Sequence, residues 1–260
     1  MLLDLDGTLA PIRDRPEEVT LPPDARGAIE ALRERACLVG LVSGRALADL
    51  ERIAAIEGVA YAGNHGLEIR HRGGASQVAS IVRPHLPAVA AFRAHFEARE
   101  LAREGVWLED KGVTLTFHYR TAPDPVAAAA FLASRVAAAA ESAGLRPTLG
   151  RMVMEVRPPI EIDKGTAVRE LLQGSGCRLA LYAGDDLTDV DAWRALRELC
   201  DEGVLQDAVA VGVVSDETPE AVRDSADLTV DGTGEMATLL AWLAAAPPHS
   251  DPMPSEGTPS

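Results

Sequence analysis

Short apolar runs recur along the chain, and most of them end in polar loops that contain glycine. Met1–Leu3 runs into Asp4-Leu5-Asp6-Gly7-Thr8, and Cys37–Val42 runs into Ser43-Gly44-Arg45. Val59–Ala62 ends at Gly63-Asn64-His65-Gly66, and Leu179–Ala183 ends at Gly184-Asp185-Asp186-Leu187-Thr188-Asp189. Compact runs of this kind predict strands buried on both faces, as in a parallel sheet. Residues 208–214 and 227–230 predict the last strands. Between the runs the apolar spacing is helical. Ala25, Ala28, Ile29 and Leu32 line one face behind Asp24 as the expected cap; Leu47, Leu50 and Ile53 or Ala54 line another. Val168, Leu171 and Leu172 follow Asp163-Lys164-Gly165, a helix follows over 190–199, and residues 236–246 predict a terminal helix. Strands alternating with helices predict a Rossmann-like α/β core, a parallel sheet flanked by helices.

The middle of the chain has a different rhythm. Leu67-Glu68-Ile69-Arg70 before Gly73-Gly74 predicts a hairpin turn, and a long helix is expected over 83–103, with Val89, Phe92 and Phe96 inward. Strands are expected over 107–109 and 113–120. In the second, Val113, Leu115, Phe117 and Tyr119 alternate with Thr114, Thr116, His118 and Arg120, which predicts an antiparallel sheet covered on one face. Asp124-Pro125 opens an alanine-rich helix to about residue 143, with cap and proline in favoured places. Met152–Arg157 alternates again, with Met154 and Val156 opposite Glu155 and Arg157. These elements predict an inserted α+β cap over 83–159, inside a discontinuous core of 1–82 and 160–246. Residues 247–260, rich in Pro, Ser and Gly, predict a disordered tail.

Composition narrows the function. A net charge of −15 argues against nonspecific nucleic-acid or anionic-membrane partners, which need a basic face. No apolar run reaches the length of a membrane span. The three cysteines, Cys37, Cys177 and Cys200, lack metal-site spacing, so reduced thiols and a cytoplasmic setting are the simplest expectation. Only two lysines occur, Lys111 and Lys164. Every other cation is arginine, which suggests positions that need a compact point charge.

Four loops call for one explanation. They offer Asp4 and Asp6, Ser43, Lys164, and Asp185, Asp186 and Asp189. Two carboxylates at a strand end repel one another unless a cation joins them, and hard oxygen ligands suit Mg²⁺. A carboxylate can attack phosphorus and divide hydrolysis into two displacements. A divalent ion neutralises the approach, a lysine and backbone N–H groups steady the phosphoryl oxygens, and a second carboxyl moves protons. The arrangement therefore points to phosphoryl transfer.

The four signatures, in this order, resemble the haloacid dehalogenase superfamily. That resemblance implies Asp4 as nucleophile and metal ligand, and Asp6 as acid/base lending its backbone carbonyl to Mg²⁺. It implies Asp185 as a direct ligand, with Asp189 or Asp186 completing the outer shell, and Ser43 and Lys164 beside the phosphate. An acid at the second Asp position favours phosphatases and mutases.

A closer resemblance is to the trehalose-6-phosphate phosphatase family. It is carried by Asp6–Ile12, Val42–Arg45, Gly63–Gly66, Glu109-Asp110-Lys111-Gly112, His118-Tyr119-Arg120, Glu155–Pro158 and Gly184–Asp189. It implies a C2-type cap that grips sugar hydroxyls, with Glu109, Lys111, Arg120 and Glu155 as candidates for the distal glucose. Arg45 and Asn64 would help place the phosphate end. His65, His118 and Asp186 stay open between site and structural roles. A monomer acting on a small sugar phosphate is expected. Sucrose 6-phosphate or mannosyl-3-phosphoglycerate are alternative substrates, and a sugar phosphomutase or a noncatalytic sensor are alternative classes.

Overall fold

The computed structural model describes residues 1–150, 152–216 and 218–246. The expected tail, 247–260, lies outside the described residues. Eight strands form one sheet: β1 (Leu2–Leu3), β2 (Gly40–Val42), β3 (Ala60–Gly63), β4 (Glu68–Arg70), β5 (Gln77–Val78), and, after the insert, β10 (Leu179–Gly184), β11 (Asp207–Val214) and β12 (Leu228–Asp231). Their order is β12-β11-β10-β1-β2-β3-β4-β5. All neighbours from β12 to β3 are parallel, and the β4–β5 hairpin adds an antiparallel edge.

β1 is short but central. Leu2 pairs with Tyr182 and Gly40, and Leu3 with Ala183 and Leu41. Period-two alternation sends the two leucines to opposite layers. Leu3 packs with α1 (Pro23–Arg33) and α2 (Leu47–Ala54), whereas Leu2 packs under the helices of the other layer. α1 buries the four residues its spacing predicted, Ala25, Ala28, Ile29 and Leu32. Its N-cap is Pro22, and Asp24 lies inside the first turn. There the acid favours the helix through its dipole.

A second sheet, order β6-β7-β9-β8, comprises β6 (Trp107–Asp110), β7 (Leu115–His118), β8 (Arg146–Gly150) and β9 (Val153–Arg157). Its apolar face packs on α3 (Leu86–Arg93), α4 (Ala98–Arg103), α5 (Pro125–Phe131), α6 (Ala138–Ser142) and the π-helical segment Leu132–Ala137 that joins the last two, through Phe92, Leu101, Ala128, Leu132, Val136 and Ala140 against Leu115, Phe117 and Val156. The predicted alternation along β7 is therefore present. Asp124 caps α5 by accepting from the Val126 and Ala127 N–H groups. The single long helix expected over 83–103 is broken. Glu97 is extended between α3 and α4, and Phe96 turns inward to lie 5.1 Å from Phe92 and 5.2 Å from Phe117. That aromatic trio outweighs helical continuity.

The core resumes with α7 (Lys164–Leu172), α8 (Leu187–Asp201), α9 (Glu220–Ser225) and α10 (Gly232–Ala245). α7, α8 and α9 cover the Leu2 face, and α10 covers the Leu3 face. Reduced cysteines were expected, but Cys37 and Cys177 are joined by a disulfide with Cα atoms 5.8 Å apart. They precede β2 and β10, the two neighbours of β1, so the sheet brings together residues separated by 140 positions. Cys200 is free.

Candidate active site

β1 delivers Asp4 to the floor of a cavity of about 600 Å³. Lys164, the first residue of α7, meets it there: Lys164 Nζ is 3.0 Å from Asp4 Oδ2 and 2.6 Å from Asp189 Oδ1. A capping box places the lysine, since Asp163 accepts from the Thr166 N–H and Thr166 returns the bond. Asp4, Lys164 and Asp189 are all buried. Burial alone would lower the Lys164 pKa, but Asp189 and Asp4 outweigh it and hold the ammonium well above its ordinary value.

Asp4, Asp185 and Asp189 each offer a carboxylate oxygen within 4.8 Å of the others. Burial, together with neighbouring carboxylates, raises the Asp4 pKa. Burial and then Asp189 push Asp185 up to about 7. One lysine thus faces three buried acids, and a divalent cation would relieve the excess charge. The surrounding backbone leaves room for close packing here. Gly7 has φ +80°, and a methyl added to it would overlap the Asp185 carboxylate. Thr8, buried, donates to Asp185 Oδ1 at 3.1 Å. The cluster fits a hard cation held by Asp4 and Asp185.

Asp189 is the more committed acid. Its Oδ1 accepts from Lys164 and from the Tyr182 hydroxyl at 2.7 Å, and its Oδ2 accepts from the N–H groups of Asp185 and Asp186 at 3.0 Å each. It shapes the loop and holds the lysine. Asp186 caps α8, accepting from the Leu187 N–H at 2.8 Å. Tyr182 and Thr8 were not singled out from the sequence. Thr8 stood inside the Asp-x-Asp-Gly-Thr motif, but Tyr182 looked like any residue of an apolar strand.

Asp6 points away from that cluster. Arg45 grips it with a fork, Nε to Oδ2 at 2.6 Å and Nη2 to Oδ1 at 2.7 Å, while Nη1 donates to the Pro16 carbonyl at 2.9 Å. Arg45, expected to place the phosphate end, is here bound to Asp6. Ser43 directly follows β2 at the cavity wall, its Oγ accepting from the Arg45 N–H.

Asn64 does not line the cavity. It is fully buried with φ +48°, and its amide bridges core and insert. Oδ1 accepts from Thr114 at 2.8 Å and Nδ2 donates to Glu68 at 2.5 Å. In this structure Asn64 ties the core to the insert. His65, also at positive φ (+57°), has its ring against Gly44 and 3.9 Å from Glu155. Burial lowers its pKa to about 4, so it is neutral near pH 7.

The polar face of the four-stranded sheet forms the opposite wall. Glu109, Lys111, Arg120 and Glu155 all line the cavity, with Thr116, His118 and Thr148. His118 Nε2 lies 2.8 Å from Glu109 Oε2, and its ring stacks on Trp107 at 3.9 Å. Burial opposes ionisation of Glu109, but His118 and Lys111 hold its carboxyl below the usual range. Lys111 Nζ donates to the Gly44 carbonyl at 2.9 Å, reaching across to the core. The other sequence candidates thus line one cavity, with Asn64 outside it and Asp189 buried behind Lys164.

A parallel core carrying this quartet of loops, with an inserted α+β sheet over its strand ends, is a fold of the haloacid dehalogenase type. A family description named Trehalose-phosphatase matches residues 2–230, and the chain belongs to that family. It is 36% identical over 204 residues to the trehalose-phosphate phosphatase of Mycobacterium marinum, covering 75% of this chain and 51% of that protein. It is 38% identical over 206 residues to a Mycobacterium tuberculosis protein named an uncharacterized glycosyl hydrolase, covering 76% of this chain and 15% of the relative. The chain thus spans about half the length of the first of these, and far less of the second. Among solved structures, a trehalose-6-phosphate phosphatase related protein superposes with a TM-score of 0.75 at 24% identity, over 94% of this chain and 97% of the other. The C-terminal domain of Candida albicans trehalose-6-phosphate phosphatase gives 0.73 at 22% identity, over 94% and 91%. At these identities both attest to the shared fold.

Proposed function

We propose that this chain is a Mg²⁺-dependent phosphatase that converts trehalose 6-phosphate to trehalose and phosphate through an aspartyl phosphate on Asp4. A buried Asp4–Lys164 pair facing a polar sheet across one cavity carries the assignment. The pair suits the phosphoryl group, and the sheet suits a polyhydroxylated leaving group. Membership of the Trehalose-phosphatase family supports trehalose 6-phosphate as that sugar phosphate.

Asp4 attacks phosphorus, and the bond to the sugar oxygen breaks. Asp6 gives the departing oxygen a proton, then takes one from the water that attacks the phosphoaspartate, which restores the Asp4 carboxylate and releases phosphate. In this structure Arg45 holds the Asp6 carboxylate, so that fork has to open for the proton to move. Lys164 steadies charge on the transferring group and on Asp4. Asp4, Asp185 and the Asp6 backbone carbonyl would hold Mg²⁺, with Asp189 behind them. When bound, Mg²⁺ offsets the repulsion between a carboxylate nucleophile and a phosphate dianion.

Phosphate release across phosphorylated disaccharides tests the substrate. Trehalose 6-phosphate should have the highest kcat/KM. Faster turnover of sucrose 6-phosphate or mannosyl-3-phosphoglycerate would reassign the substrate and leave the mechanism standing. Exchange of label between sugar positions without net phosphate release would indicate a mutase.

A further inference from the structure

Among the described residues, two buried polar atoms of cavity-lining residues have no hydrogen-bond partner, His65 Nδ1 and the Thr116 hydroxyl. Thr116 lies in the middle of β7, on the face toward the cavity. It is 4% exposed, yet its Oγ1 has no hydrogen-bond partner among the described residues. Buried hydroxyls are ordinarily bonded, because an unpaired one costs stability. Thr114, two residues earlier on the same face, is satisfied by Asn64 at 2.8 Å. The unpaired hydroxyl is thus particular to Thr116.

Its place in the sheet says what would satisfy it. Thr116 pairs in register with Glu109 on β6 and with Glu155 on β9, and Glu155 pairs with Thr148 on β8. These residues form one row across the sheet, and all of them line the cavity. Paired strands lie about 4.8 Å apart, so the two glutamates flank Thr116 over roughly 10 Å between their Cα atoms. That is the breadth of one pyranose ring with its hydroxyls. Ionised carboxylates only accept hydrogen bonds, whereas a threonine hydroxyl also donates. The row therefore suits a ligand presenting hydroxyl donors on its flanks and an oxygen acceptor between them.

We propose that Thr116 is a specificity-determining residue whose buried hydroxyl donates to an oxygen of the distal sugar ring held between Glu109 and Glu155. The proposal rests on the sugar-phosphate reading above. It adds a determinant that tells a hydroxylated ring from a sugar-free phosphate ester.

Thr116→Val keeps the shape and removes the hydroxyl. The ratio of kcat/KM for trehalose 6-phosphate to that for 4-nitrophenyl phosphate should fall about tenfold, as expected when one buried hydrogen bond to substrate is lost. The fall should come from KM for the disaccharide. Thr116→Ser should restore the ratio. The melting temperature of Thr116→Val should equal or exceed that of the wild type, because an unpaired buried hydroxyl has been removed, so misfolding would be detected separately. An unchanged ratio in Thr116→Val, or a low ratio in Thr116→Ser as well, would overturn the proposal alone. A wild type that cleaves 4-nitrophenyl phosphate but not trehalose 6-phosphate would overturn the substrate reading together with it.

Discussion

The Lys164 ammonium stands 3.0 Å from the Asp4 carboxylate, and both side chains are almost wholly removed from solvent. The same ammonium serves Asp189 at 2.6 Å. A buried cation shared by two acids makes removal costly, because the acids stay behind without it. Lys164→Met should lower unfolding free energy in EDTA by about 3–5 kcal/mol, read from urea melts. It should also abolish detectable phosphatase turnover. A change below about 1 kcal/mol would mean that the acids are protonated or solvated rather than paired.

His65 supplies a pH test with a definite sign. Its pKa in the folded protein is lowered to about 4 by burial, with Glu155, Lys164, Lys111 and Arg157 as the charged groups around it. In the unfolded chain it titrates near 6.5. The unfolded state therefore binds the extra proton between these values, and stability is lost as pH falls from about 6.5 toward 4. The contribution reaches about 3 kcal/mol at most. Asparagine tolerates the positive φ at this position. His65→Asn should flatten the fall in melting temperature between pH 7 and 4 relative to the wild type. Parallel curves would show that His65 is not buried in its neutral form.

The Cys37–Cys177 link joins the roots of β2 and β10 on either side of β1. Closing a loop of 140 residues restricts the unfolded chain. Reduction should lower stability by about 2–4 kcal/mol, or roughly 5–15 °C in melting temperature. Cys37→Ser should melt like the reduced protein and ignore reductant. Three titratable thiols in the denatured, unreduced protein would contradict the link.

The sequence made the core legible where one residue's neighbours lie along its own element. The inward face of α1 and the alternation of β7 follow from spacing alone. The loops bearing Asp4, Ser43 and Asp185 were equally readable, because strand ends in a parallel sheet converge; Lys164 stands instead at the start of α7. β8 was missed: Arg146-Pro147-Thr148-Leu149-Gly150 lies at a largely exposed sheet edge, and its residues show no inward–outward alternation. α9 was missed because its six residues bury only Val222. The Arg45–Asp6 fork, the Asn64–Thr114 tie and the cysteine pair each join segments distant in sequence. Spacing within one element carries no trace of such pairs, so the cysteines were expected reduced.

Asp4 bears the central claim, because the proposed hydrolysis passes through its carboxylate. The most direct measurement is phosphate release from trehalose 6-phosphate with Mg²⁺, comparing wild type with Asp4→Asn at equal fold as judged by circular dichroism. The amide keeps the size of the side chain but removes the nucleophile. Covalent catalysis at Asp4 predicts steady release by the wild type, with one trehalose formed per phosphate, and a rate lower by at least about 10⁴-fold in the variant. Release by Asp4→Asn within about tenfold of the wild type would contradict covalent catalysis at this residue.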